Sequence, residues 1–268
     1  MENAALYATS NQLQRRDAAV ALAANLPAMT WREGERVLDI GSGSGDVTSS
    51  LLATAIPVTC NMVGVDCSRE MVEFANESFG SETLSFSQMD IDKVQHPRDL
   101  FPAGFDKIFS LYCLHWIKDL PVAVKNIHEL LVDGGQALVI FLASNPIFRM
   151  YRILAKNIKW SSYMLDVEDF IPVYQDTTDP AAEFGSLLSR TGFCVRKCEA
   201  EEFSFSFSNQ NQLMAALKAV NPFLARVPTE RQSEYLLDCV QTLGRLDTSI
   251  SQGRMEARYR LLVAHMRK

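Results

Sequence analysis

Three short apolar runs, each enclosing or ending in an acid, dominate the hydrophobic pattern of the first third of the chain. Val37, Leu38 and Ile40 surround Asp39, Met62-Val63-Gly64-Val65 ends at Asp66, and Leu84 to Met89, alternating at first, ends at Asp90 beside Ile91. Runs this short, bounded by turn residues, predict buried strands. Between them the spacing is helical, over Thr48 to Ala55 and again from Ser68, a good cap, onward. Strand and helix alternate as in a parallel sheet, which brings Asp39, Asp66 and Asp90 together at its carboxyl edge.

The same reading extends along the chain. Lys107 to Leu111 predicts a fourth strand, Pro121 to Leu131 a helix, Asp133-Gly134-Gly135 a turn and Gln136 to Leu142 a fully apolar fifth strand. Phe184 to Thr191 predicts a return helix and Gly192 to Ala200 a sixth strand that Phe203 to Phe207 extends. Arg258 to Met266 predicts a last strand. Two regions do not follow the alternation. Asn145 to Phe170, rich in Met and aromatic residues (Phe148, Met150, Tyr151, Trp160, Tyr163, Met164, Phe170), reads as helical segments above the sheet. Gln210 to Gly244 reads as helix interrupted at Asn221-Pro222 and Pro228. Before the first strand, Leu6 to Asp17 runs into an Ala-rich amphipathic helix ending near Leu26-Pro27, and Tyr7, Gln14 and Arg15 can fold over a site as a lid.

The first candidate chemistry is Gly41-Ser42-Gly43-Ser44-Gly45-Asp46. Glycines at alternate positions let a ligand approach the backbone, and the following helix turns N–H groups and its positive end toward it. A dinucleotide fingerprint needs G-x-G-x-x-G with the pyrophosphate on the helix N-terminus. Here the spacing is G-x-G-x-G between Asp39 and Asp46. Two carboxylates would repel a pyrophosphate, and they suit a cationic ligand carrying an ammonium, such as the methionine part of S-adenosylmethionine. Asp66 can accept from both hydroxyls of a ribose. Asp90 can take an adenine amino group while Ile91 covers the ring. One acid at a strand end is usually a turn residue; three in succession favour an adenosyl cofactor.

Composition narrows the class without naming it. The 268 residues suffice for one α/β domain with a cap, and a net charge of −6 with scattered lysines and arginines leaves no polynucleotide footprint. The six cysteines (Cys60, Cys67, Cys113, Cys194, Cys198, Cys239) form no C-x-x-C pair and have no His cluster for zinc, so reduced thiols in a cytoplasmic enzyme are expected, with no metal. The sequence offers neither a basic-then-apolar leader nor an apolar run able to span a bilayer, so no membrane partner is expected.

Nearly the whole chain resembles the class I S-adenosylmethionine-dependent methyltransferases, and more narrowly the insect juvenile hormone acid O-methyltransferases. The resemblance is carried by Gln14-Arg15-Arg16-Asp17, Val37 to Asp46, Tyr112-Cys113-Leu114-His115-Trp116, Phe141 to Pro146 and Leu262-Val263-Ala264-His265. The Tyr7 to Gln14 spacing is also similar to that of plant carboxyl methyltransferases acting on salicylate and jasmonate. The resemblance implies a Rossmann-like α/β fold with a seven-stranded sheet whose last strand is antiparallel, and an α-helical cap. The core is expected over 1–142, 186–208 and 254–268, and the cap over 143–185 and 209–253. It also implies a small apolar carboxylic acid as substrate, farnesoic acid or juvenile hormone acid, made into its methyl ester. Where the family often carries cysteine or proline, Ser42 and Ser44 stand here, and both are small. A homodimer is left open.

The expected cofactor set is Tyr7, Arg15, Asp39, Gly41, Ser42, Gly43, Asp46, Asp66, Cys67, Met71, Asp90, Ile91, Ser110 and Leu111. Methyl transfer to a carboxylate needs no general base, because such acids are ionised above a pKa of about 4 to 5. It needs one oxygen held in line and water kept out. Gln14 and Trp116 offer uncharged N–H donors, and their family counterparts play this role. His115 joins them as a positioning residue, and Tyr151, Trp160, Tyr163, Val220 and Phe223 are candidates for the wall around an apolar chain. The plain alternatives are core packing for Trp116 and the aromatic run, and a solvated face for Gln14. A nicotinamide dehydrogenase and a binding protein without turnover remain open as other classes.

Overall fold

The computed structural model describes residues 4–246, 248–251 and 254–268; positions 1–3, 247, 252 and 253 of the expected core and cap ranges lie outside the described residues. Its strands are β1 (Glu35–Ile40), β2 (Cys60–Asp66), β3 (Leu84–Gln88), β4 (Phe105–Leu111), β5 (Leu131–Ser144), β6 (Cys194–Phe207), β7 (Thr248–Ser251) and β8 (Arg254–Arg267). The main path runs β3-β2-β1-β4-β5-β8-β6, and the short β7 pairs only with β8. β1 to β5 are parallel, whereas β8 is antiparallel to both β5 and β6, as the resemblance implies. The chain leaves β1 toward β2 and later returns to its other side at β4, so the crevice between their carboxyl ends is the switch point where ligands of such sheets bind.

Alternation along the central strands divides the core between the two faces. Leu38, Ile40, Ile108, Val139 and Phe141 pack on one face with Ala123, Val124 and Ile127 of α6 (Leu120–Leu130) and Phe184 and Leu188 of α8 (Pro180–Thr191). Val37, Phe109, Leu138 and Ile140 face the other way, toward Leu22 of α2 (Gln12–Asn25) and the cap. Helix starts are written locally. Asn145, Asp179 and Asn209 each accept a backbone N–H of the first turn, and Pro146 and Pro180 open their helices at the position where a missing N–H costs nothing.

Several boundaries differ from those read from sequence. β5 begins at Leu131, because the expected Asp133 to Gly135 turn is absorbed into the strand with Gly134 at φ +77°. β8 begins at Arg254, extending its pairing with β6. The N-terminal segment is two helices, α1 (Ala4–Ser10) and α2, broken at Asn11. β3 stops at Gln88, so Asp90 sits in the turn beyond it. In the cap, α7 (Pro146–Ala155), α9 (Gln210–Val220) and α10 (Gln232–Leu243) pack together and α1 rests on α9. α8 starts inside the expected cap range, yet it packs on β6 and α6.

Candidate active site

The loop after β1 is held open by its glycines. Gly41, Gly43 and Gly45 all have positive φ, and a Cβ on Gly41 would lie 2.3 Å from that of Cys113. The N–H groups of Gly41 and Ser42 both donate to the carbonyl of Val65, which locks the loop against β2. Asp66 accepts from the Gly43 N–H at 2.9 Å and from the Ser68 N–H at 2.9 Å, while Ser68 caps α4 (Arg69–Phe79) and buries Met71 beneath it. Ser110 donates to the Ile40 carbonyl and Leu111 is buried beside it, so the ends of β1 and β4 are stitched together.

Two buried polar atoms of this loop lack a partner among the described residues, Asp39 Oδ1 and Ser42 Oγ. Asp39 Oδ2 accepts from Thr48, and burial, reinforced by the charge of Asp66, pushes its carboxyl up to about 7. An unpaired carboxyl oxygen in so dry a place fits a cationic group of a ligand. Asp46 behaves differently from expectation. Its oxygens accept from Asn11, from Arg15 at 2.7 Å and from Ser44 at 2.8 Å, so it anchors α2 to the glycine loop. Of the two acids that bracket the glycines, only Asp39 keeps an oxygen without a protein partner.

A cavity with an empty volume of about 870 Å³, its mouth included, adjoins this loop. Tyr7 lines it, and the same ring stands 3.6 Å from where a Cβ of Gly43 would be. Burial and the carboxylates of Asp46 and Asp66 push the Tyr7 phenol up, so it stays a neutral donor. The other polar lining groups are Gln14, Tyr112, His115, Trp116 and Asn145. The rest of the wall is apolar: Leu13, Leu142, Pro146, Ile147, Phe148, Phe207, Leu213, Ala216, Leu217, Val220, Leu243, Met255 and Ala257. Among the described residues no lysine or arginine lines it. His115 is buried with Nδ1 unpartnered, and desolvation drops its pKa to about 3, leaving it neutral.

The loop that carries His115 and Trp116 is turned by a backbone oddity. Tyr112 has φ +66°, the only non-glycine residue with positive φ among those described. That conformation costs an aromatic residue about 1–2 kcal/mol and survives only where the surroundings hold it. The following 3₁₀ turn, Leu114–Trp116, then directs His115 against Phe148, with Trp116 5.8 Å from the same ring.

A family profile described as a methyltransferase domain matches residues 38–137. The juvenile hormone acid O-methyltransferase of Drosophila melanogaster is 36% identical over the whole of this chain and 93% of its own length. The Bombyx mori enzyme of the same name is 34% identical, over the whole of this chain and 98% of its own length. The chain belongs to the juvenile hormone acid O-methyltransferase family. It is thereby an S-adenosylmethionine-dependent O-methyltransferase. The fold is shared more widely: the YcgJ protein of Bacillus subtilis superposes with a TM-score of 0.59 at 15% identity, covering 93% of this chain and 98% of that one.

In this family member the residues singled out from sequence fall into four groups. Gln14, His115, Trp116 and Val220 meet at the cavity, and Tyr7, Asp39, Gly41, Ser42, Gly43 and Asp66 surround the glycine loop. Asp90 and Ile91 follow β3, where burial and a contact with Asp92 raise the Asp90 carboxyl to about 6 and Ile91 sinks into the core beside Val65; Cys67 is exposed next to Asp66. Tyr151, Trp160, Tyr163 and Phe223 are not part of the cavity wall. Tyr151 and Phe223 pack edge to face, Trp160 donates to Asp238 and stands against Tyr235, and Tyr163 packs at the margin of that cluster. They build the interior of the cap, which has its own apolar faces to bury. The wall residues missed include Leu213, Leu217, Phe207 and Met255, whose ordinary helix and strand periodicity gives no sign of a ligand. Among the described residues there is no group of three or more His, Cys, Asp or Glu side chains able to hold a metal, and no helix is long and apolar enough to cross a membrane.

Proposed function

We propose that the protein esterifies the carboxylate of a terpenoid acid, of the farnesoic acid or juvenile hormone acid type, using S-adenosylmethionine as methyl donor. The observation that carries this reading is the cavity itself, apolar over most of its wall, with uncharged donors gathered where it meets the glycine loop and no cation among its described lining residues. A long hydrocarbon acid fits such a wall, and its headgroup falls at Gln14, His115 and Trp116. The names of the Drosophila and Bombyx relatives support the same substrate class.

When bound, S-adenosylmethionine supplies a methyl group made electrophilic by a sulfonium. Asp39 offers its unpartnered Oδ1 to the cationic end, Asp66 the ribose, and Gly43 the backbone surface beneath Tyr7. The side chains of Gln14 and Trp116 have no hydrogen-bond partner among the described residues, so the amide N–H and the indole N–H are free to hold the carboxylate. Neutral donors orient the oxygen without quenching its nucleophilicity as a buried arginine would. The two arginines of α2 that could reach the site are committed elsewhere, Arg15 to Asp46 and Arg16 to Asp17. Neutral His115 moves no proton and keeps the indole in place. Opposite charges cancel as the ester forms, and a dry apolar wall favours that cancellation. Six unpaired cysteines fit a reducing cytoplasmic setting.

The test is transfer of labelled methyl to farnesoic acid, juvenile hormone acid, a straight-chain fatty acid and salicylate, with Gln14→Ala and Trp116→Phe alongside. Selective esterification of the first two, reduced about 10- to 100-fold in either variant, is the expected result, each lost bond being one to a charged acceptor. Cofactor binding without methylation of any acid would overturn the substrate assignment.

A further inference from the structure

We infer that Asp17 is a positioning residue that joins the helix of Gln14 to the loop of Trp116 through the hydroxyl of Tyr112. This rests on the reading that Gln14 and Trp116 together hold the carboxylate. Asp17 is fully buried on α2, three residues beyond Gln14. Its Oδ2 accepts the hydroxyls of Tyr112 and, at 2.5 Å, Tyr259 of β8. Its Oδ1 accepts two N–H groups of Arg16, at 2.8 and 2.6 Å. Arg16 in turn reaches the Ser204 carbonyl of β6 and the Tyr259 hydroxyl, so one carboxylate gathers α2, β6, β8 and the loop after β4.

Four donors on two oxygens leave this carboxylate no slack. Burial and the neighbouring Tyr259 and Asp17 keep the Tyr112 phenol well above its usual range, so it remains a donor at any working pH. Its backbone lies in the left-handed region, where a bulky side chain is otherwise disfavoured. Of the two tyrosines on Asp17, Tyr112 alone is on the loop that ends in Trp116, four residues on. The hydroxyl bridge therefore sets the distance between the two donors across the cavity mouth. Methyl transfer depends on that distance, because in-line geometry is lost with small displacements.

The experiment compares Tyr112→Phe, Tyr259→Phe, Gln14→Ala and the double variant Y112F/Q14A, reading kcat and KM for the acid, Kd for S-adenosylhomocysteine, and Tm. Tyr112→Phe keeps the ring on the cavity wall and removes only the hydroxyl. It is expected to lower kcat/KM for the acid about tenfold, with the Kd for S-adenosylhomocysteine unchanged, and to add less than about twofold in the Gln14→Ala background, as coupled residues do. Tyr259→Phe, which loosens the same carboxylate from the side away from Trp116, is expected to lower Tm comparably with a smaller loss on the acid. Equal losses from both tyrosines, or full multiplication of Y112F with Q14A, would reduce the cluster to a structural staple and overturn the inference. Full turnover by Q14A would instead overturn the carboxylate clamp on which it rests.

Discussion

Arg15 Nη1 stands 2.7 Å from Asp46 Oδ2, and this ion pair closes the seam between the N-terminal helices and the glycine loop. Asn11 and Ser44 complete the shell of Asp46, so α1 and α2 are fastened to the glycine loop. The arginine is more than a third exposed, at 37%, which limits the pair itself to about 1 kcal/mol. Asp46→Ala strands more donors than Arg15→Ala does, and is expected to cost about 2–3 kcal/mol against about 1. Hydrogen exchange over residues 4–25 should rise in both variants, more in Asp46→Ala, with a parallel rise in KM for S-adenosylmethionine. Unchanged protection in Asp46→Ala would show that the helices are held by packing alone.

Cofactor affinity is expected to depend on pH through Asp39. Its folded pKa of about 7 lies above its unfolded value, so folding takes up a proton. The contribution of Asp39 to stability is therefore full below about pH 4 and is lost as pH rises through about 7. A cation beside Oδ1 favours the ionised form, and binding below pH 7 must expel that proton. Affinity for S-adenosylmethionine is expected to climb up to tenfold per unit below about pH 7 and level off above it. Calorimetry in two buffers of different ionisation heat should report proton release at pH 6 and little at pH 8. Equal release at both, or the same slope in Asp39→Asn, would remove Asp39 from this role.

The glycines of the loop are not equivalent. Gly41 combines φ +76° with a Cβ position 2.3 Å from Cys113, whereas the nearest atom to a Cβ on Gly43, at φ +54°, is 3.6 Å away. Gly43→Ala incurs chiefly the conformational cost of about 1 kcal/mol, and Gly41→Ala adds overpacking of about 1–3 kcal/mol. Thermal unfolding should place Gly41→Ala lower by several degrees, at about 2–4 °C per kcal/mol for a chain of this size class. A reversed order would mean that the loop relaxes away from Cys113.

What was legible in the sequence was local. The glycine turn, the acids at or just beyond the ends of the first strands, the helix caps and the alternation of strands with helices follow from periods of 2.0 and 3.6 residues and from turn chemistry, which neighbouring residues decide among themselves. Gln14 and Trp116 were legible only through resemblance, since nothing in an amide on one helix and an indole on one loop announces that they share a cavity. The strand boundaries at Leu131 and Arg254 were not legible, because it is pairing with β4, β6 and β8 that extends them.

The sequence by itself determined an α/β chain whose first strands pair in parallel, with a glycine turn and three acids toward their carboxyl edge, because backbone propensity and glycine geometry act over a few residues. Only the tertiary structure decided which apolar side chains face the cavity and which fill the cap. Leu217 and Met255 reach the cavity while Tyr151 packs on Phe223 and Trp160 on Tyr235, although nothing in these residue types separates the one use from the other. It also made Asp46 an anchor of α2 through Asn11 and Arg15. Both outcomes depend on contacts between segments far apart in the chain, where burial and hydrogen-bond satisfaction are settled by the packing of whole elements.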